Sequence, residues 1–185
     1  QSASCSGSQN RLGYPILADV TDYGCRDGDA FVSGTLKGRL TIATENNVIV
    51  VANTTYQTTG AASTDMLGLV ANQFVQVYHP VNSGGNNLTD SRNPTNTFTN
   101  PQIHAAMLAL GHSFIVQNYD EGAQLGTITV NGGIAQKWRG PVGTSGGTGY
   151  LKNYGYDARL QYASPPYVMD IADTPYRVSQ WAEIQ

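Results

Sequence analysis

The chain has 185 residues, a formal net charge of −3 and only 12% charged residues. A chain of about 150–200 residues hides about 70% of its unfolded surface, so one domain with a real core is expected. The acid excess argues against broad attraction to DNA or anionic membranes, and no run approaches the ~18 consecutive apolar residues of a membrane-spanning helix.

Glycine is abundant (21 residues), as are threonine and asparagine, a mixture that disfavours helix and favours short strands joined by many turns. Residues 1–29 read as an irregular segment: a Ser-rich start, then Arg11-Leu12-Gly13-Tyr14-Pro15, then an Asp27-Gly28-Asp29 turn. The start at Gln1, with neither Met nor signal peptide, gives the expectation of a processed or truncated form. Cys5 and Cys25 fit no zinc spacing, and two thiols cannot build a structural zinc site unaided. In a Gly/Asn/Thr-rich surface protein they are expected to form a disulfide that pins the N-terminal segment. Asp27 and Asp29 flank a glycine in a pattern that suits a calcium ligand pair, although such a pair is ordinarily a turn.

Strands are expected from Ala30. Leu36, Leu40 and Ile42, then Val48-Ile49-Val50-Val51, form two apolar bursts separated by a corner at Thr44 to Asn47. A second unit runs from Met66 through Val81, and residues 82–101 form a polar insertion that reads as a surface loop. The third unit begins at Ile103. Its Ala105-Ala106-Met107-Leu108-Ala109-Leu110 stretch has helix-forming composition but occupies the place of Leu67 to Val70, so strand is expected. The fourth unit, Gly126 to Arg139, alternates at Ile128, Val130 and Ile134.

Four turn pairs, Asn46-Asn47, Asn72-Gln73, His112-Ser113 and Gly132-Gly133, are followed by Val48, Phe74, Phe114 and Ile134. Their spacings are 26, 40 and 20, and removing the insertion leaves a period of roughly 20–26, which belongs to repeat architectures. The expected fold is therefore all-β: a right-handed parallel β-helix (β-solenoid) over residues 30–162. The disulfide-pinned segment 1–29 precedes it and a Tyr/Pro-rich capping tail, 163–185, follows. Before that tail, Pro141 and four glycines form a flexible loop, and Tyr176-Arg177-Val178-Ser179-Gln180-Trp181 alternates as a final strand. A terminal cover of this kind protects an open strand edge.

Catalytic patterns are thin. Gly143-Thr144-Ser145-Gly146-Gly147 matches G-x-S-x-G, but the strand-turn-helix setting of a nucleophile elbow is missing around it. His79, His104 and His112 share no metal-ligand spacing, and the carboxylates are scattered rather than clustered as polysaccharide-cleaving enzymes require. No catalytic residue, metal or cofactor is expected. Binding residues are easier to nominate. Lys37 and Arg39, with Lys137 and Arg139, would stack into a basic stripe, and Trp138, Tyr150 and Tyr154 offer rings for sugar faces.

Several segments carry a family resemblance. They are Gly28-Asp29-Ala30-Phe31-Val32-Ser33-Gly34-Thr35-Leu36-Lys37-Gly38-Arg39-Leu40-Thr41-Ile42-Ala43, Leu67-Gly68-Leu69-Val70-Ala71-Asn72, Gly132-Gly133-Ile134-Ala135-Gln136-Lys137-Trp138-Arg139-Gly140-Pro141-Val142-Gly143, Lys152-Asn153-Tyr154-Gly155-Tyr156-Asp157 and Ser164-Pro165-Pro166-Tyr167. Together they resemble the β-solenoid region of bacterial proteins associated with type IV pili, among them actinobacterial surface proteins and the solenoid-bearing competence minor pilin of Thermus. The resemblance implies an extracellular, non-catalytic structural or adhesive module of a bacterial pilus or surface filament. Its partners would be other pilus or surface-protein subunits, with a polysaccharide or DNA as alternative ligands. It brings no catalytic set. The pilin-like N-terminal helix common in that family has no counterpart in these residues.

Overall fold

The computed structural model describes residues 28–88 and 98–168. Cys5, Cys25 and Asp27, the middle of the polar insertion and the alternating stretch at 176–181 lie outside the described residues, and with them the expected disulfide and much of the expected tail.

Nine strands follow in chain order: β1 (Ala30–Leu36), β2 (Arg39–Thr44), β3 (Val48–Tyr56), β4 (Met66–Ala71), β5 (Val75–Val77), β6 (Gln102–Ala109), β7 (Phe114–Val116), β8 (Thr127–Gln136) and β9 (Leu151–Tyr156). A short 3-10 helix, Ala158–Gln161, comes after them. The Ala-rich stretch of β6 is strand although Ala, Met and Leu favour helix. It is flanked on both sides by parallel partners, β4 and β8, and alternates buried Ile103, Ala105, Met107 and Ala109 with half-exposed neighbours.

The expected right-handed β-helix is corrected by the pairing. The strands join into a single open nine-stranded sheet whose main path runs β2-β4-β6-β3-β5-β7, with β1 on β3, β8 on β6 and β9 on β8. Every strand-to-strand ladder is parallel. The cause lies in β3. Its first residues pair with β5 (Val48 with Val75), while Thr54 pairs with Ile103 of β6, so this one long strand fuses two ladders into one sheet. A repeat period records how often apolar bursts recur and says nothing about which neighbour each strand pairs with.

Parallel in-register pairing stacks like on like. Val50, Val77 and Val116 form one column, and Val48, Val75 and Phe114 another, all buried. Across the other ladder Leu69 stands beside Met107, and Met107 beside Ile134. These columns merge into one apolar core closed by Leu125, Val142 and Tyr150.

Three of the four expected corners are corners. Gln73 N–H donates to the Asn46 carbonyl (2.9 Å) and Gly111 N–H to that of Asn72 (2.8 Å), stacking them one above the next. The fourth is misplaced: Gly132 and Gly133 sit in mid-β8, paired with Ala105 and Ala106. The corner above His112 is at Lys137 and Trp138, whose N–H groups both donate to the His112 carbonyl (3.0 and 3.2 Å). Glycine at 132 answers to close approach rather than to turning, since a Cβ there would lie 1.8 Å from the Ala105 carbonyl oxygen. The inward column is also shifted by one. Phe114 lies over Val75, and Phe74 instead stacks on the His112 ring in the corner, with centroids 4.1 Å apart.

One local repeat escaped the pattern reading. Asn82-Ser83-Gly84-Gly85-Asn86 and Thr144-Ser145-Gly146-Gly147-Thr148 fold into the same turn. In each, the first residue donates its N–H to the fifth carbonyl (2.9 and 3.3 Å) and accepts from the fourth residue's N–H (3.0 and 3.3 Å). The fourth position is a positive-φ glycine both times, Gly85 at 73° and Gly147 at 88°. The G-x-S-x-G match is this turn, and exposed Ser145 is its counterpart of Ser83.

Candidate functional site

The nominated binding residues divide into three places. Lys37 and Arg39 flank Gly38 in the turn from β1 to β2, whereas Lys137, Trp138 and Arg139 follow the far end of β8. Thr44 is in register with Ala71, Ala109 and Gln136 in turn. Arg39 therefore lies about six residues, or ~20 Å, upstream of Lys137 along the strand direction. The two basic pairs do not form one stripe.

Tyr150 does not belong to a surface site. It is buried, its hydroxyl donates to the Phe98 carbonyl (2.5 Å), its ring meets His79 edge-on, and burial raises its phenol pKa. Its role is to pin residue 98 to the core.

The other members gather. Tyr154 stands on β9, whose second edge has no strand partner among the described residues. Its ring covers buried Phe114 edge-on at 6.3 Å, and burial pushes its phenol up to about 12 while the nearby Arg139 charge acts the other way. Trp138 is 60% exposed, with the Lys137 ammonium 5.9 Å from its ring centroid. Lys152 shares the Tyr154 face by strand alternation but pairs with Ile128, about nine residues or ~30 Å upstream of Lys137 along the strand direction, so it stands apart from Trp138. Trp138 thus stands exposed between Lys137 and Arg139 after the far end of β8, and Arg139 is near enough to Tyr154 for its charge to act on that phenol.

Two polar clusters were not legible as units. In the first, Arg159 folds over the Tyr56 ring (5.3 Å) and holds Asp157, with Nη2 2.6 Å from Oδ2. Its Nη1 donates to the carbonyls of Ser63 (2.8 Å) and Asp65 (3.0 Å), tying the helix to the 57–65 turn. The Arg159 side chain holds the Asp157 carboxyl below its ordinary range. Asp65 is lowered chiefly by the Gly38 N–H, with Thr58 adding to it. His104 Nδ1 accepts the Tyr56 N–H (3.3 Å), and desolvation lowers the imidazole pKa.

In the second cluster His79, 2% exposed, lies with Nδ1 3.0 Å from the Gln117 carbonyl and Nε2 2.8 Å from Asn87 Oδ1. Asn87 in turn donates to the Ala123 carbonyl (2.9 Å), and Asn118 donates to the His79 carbonyl (2.8 Å). The insertion is thus anchored to the core at Asn87, as it is at Phe98.

Both clusters spend their polar atoms inside the protein. Asp29 does likewise, its Oδ1 accepting from Asn46 Nδ2 (2.7 Å) and Asn47 N–H (2.9 Å) to brace the first corner. Among the described residues no group of three His, Cys, Asp or Glu side chains is placed to hold a metal ion, and no helix is long and apolar enough to cross a membrane. No protein-family model, curated protein or solved structure matches the chain.

Proposed function

We propose that this protein is a non-catalytic adhesive or structural module of a bacterial surface filament, which attaches to a polymer or neighbouring subunit through the Trp138 surface. One observation carries the reading. The exposed ring of Trp138 stands between Lys137 and Arg139 beyond the end of β8, with Arg139 acting on partly exposed Tyr154, while His79, His104, Asp65 and Asp157 are engaged in structural hydrogen bonds. Aromatic rings offer a flat apolar face to sugar rings, and flanking cations suit acidic groups on a polymer. The pilus context and the extracellular, cell-surface location rest on the sequence resemblance alone.

The test is retention of the purified protein on immobilised acidic and neutral polysaccharides, and on whole filaments. Trp138→Ala is expected to weaken retention by about tenfold or more, equivalent to ~1.4 kcal/mol. Unchanged retention would remove the surface from the proposal. The paired cations Lys137 and Arg139 favour DNA as the second reading. If DNA is the ligand, log K should fall steeply with log salt, with a slope near −0.9 per phosphate neutralised, and a Lys137→Ala, Arg139→Ala double variant should flatten it.

A further inference from the structure

A second concave site lies away from the Trp138 surface. A cleft of about 340 Å³ opens between the start of β2, the turn before β4 and the residues after the 3-10 helix. Its walls include Arg39, Thr64, Met66, Arg159 and Tyr162.

The charges in and around it differ in kind. Arg159 is neutralised by Asp157, and the neighbouring Asp65 carboxylate is taken by Gly38 N–H, Thr58 N–H and the Thr58 hydroxyl. Arg39 has no carboxylate partner among the described residues. Its Nη2 donates to the Ser164 carbonyl, which fixes one arm of the guanidinium and leaves its remaining N–H groups to a ligand. A half-fixed guanidinium is pre-organised for a planar carboxylate, which it meets with two parallel hydrogen bonds. Beside it Tyr162 is 87% exposed, a large ring with little to pack against, and Thr64 adds an exposed hydroxyl.

We infer that this cleft binds a carboxylated sugar, of the uronic-acid class. Arg39 takes the carboxylate, Tyr162 stacks on the apolar face of the pyranose, and Thr64 hydrogen-bonds a ring hydroxyl. The volume accommodates one or two sugar units. A ligand of simple anionic character would use Arg39 alone, and a neutral sugar would use Tyr162 alone. Requiring both gives the site its selectivity.

Ligand-observed NMR and calorimetry on the whole chain with a galacturonate disaccharide test the inference, alongside the matched neutral galactose disaccharide and acetate. The acidic disaccharide should bind with at least about tenfold preference over either comparator. Arg39→Gln and Tyr162→Ala should each reduce that affinity by about fivefold or more, with thermal midpoints checked because Arg39 also holds Ser164. Thr64→Val, at an exposed hydroxyl, gives a third reading that does not perturb this contact. Trp138→Ala should leave disaccharide binding unchanged, so failure of the Trp138 surface and failure of this cleft are separable. Equal binding of neutral and acidic sugars, binding of acetate as tight as of the disaccharide, or indifference to both Arg39→Gln and Tyr162→Ala would overturn the assignment.

Discussion

At the scale of single residues, stability depends on polar side chains whose partners are distant in sequence. Asn87 is the clearest case. It supplies the acceptor for a fully enclosed His79 ring nitrogen, so Asn87→Ala leaves that nitrogen without a protein partner. The expected loss is about 1–3 kcal/mol in denaturant unfolding, against less than ~0.5 kcal/mol for the exposed Asn86→Ala. Phe114, 2% exposed under Tyr154, should cost ~3–5 kcal/mol on truncation to Ala. Asp65 sets an acid limit. Its folded carboxyl is held below the ordinary value, so the stability it contributes is present above about pH 4 and is lost as pH falls through the folded value. The thermal midpoint should therefore drop on acidification below about pH 4, and Asp65→Asn should start lower and show a shallower acid limb. An unchanged acid limb would assign the loss to other carboxylates, Asp157 first.

At the scale of elements, small residues decide where the chain after β9 can lie. Gly68 and Gly133 occupy neighbouring strand positions on either side of Ala106. A Cβ on Gly68 would meet Thr41 Oγ1 at 2.8 Å and Pro165 Cβ at 2.9 Å, and one on Gly133 would meet the Leu160 side chain at 3.2 Å. The 160–166 segment thus crosses the sheet over a track of small residues, Gly68, Ala106 and Gly133, and Arg39 and Thr41 hold its carbonyls at Ser164 and Pro166. Gly68→Val should displace this segment, with a loss of about 1–3 kcal/mol and new protease sensitivity near residue 165. The polar insertion at 82–101 is tied down near both ends. Its ends carry Asn87 and the Phe98 carbonyl, both bound to buried partners, so an excision that includes residue 87 will destabilise the core as well as alter any binding.

At the scale of the whole molecule, function is expected to reside in surfaces at separated points of a rigid sheet. Trp138→Ala and Arg39→Gln should therefore have additive effects on retention by an acidic polysaccharide, since the two sites share no partner. Simultaneous engagement of one polymer by both would raise avidity beyond either alone, and shortening the polymer below the span between them should abolish that gain. Binding of long and short polymer with equal affinity would show that only one site is used.

The sequence by itself determined the local facts: where strands begin, that β6 is a strand despite helix-forming residues, and that Asn46, Asn72 and His112 stand at corners. Burial period and turn chemistry are properties of neighbouring residues and are written in the chain. It also allowed the nomination of Trp138, Arg139 and Tyr154, because rings and cations among polar residues are visible without coordinates. What it could not decide is which strand lies beside which. The partition of β3 between β5 and β6, the burial of Tyr150, the separation of Arg39 from Lys137 and the meeting of Arg159 with Asp65 are all long-range pairings. Each is selected by the joint packing of segments tens of residues apart, and a period along the chain carries no term for that contact.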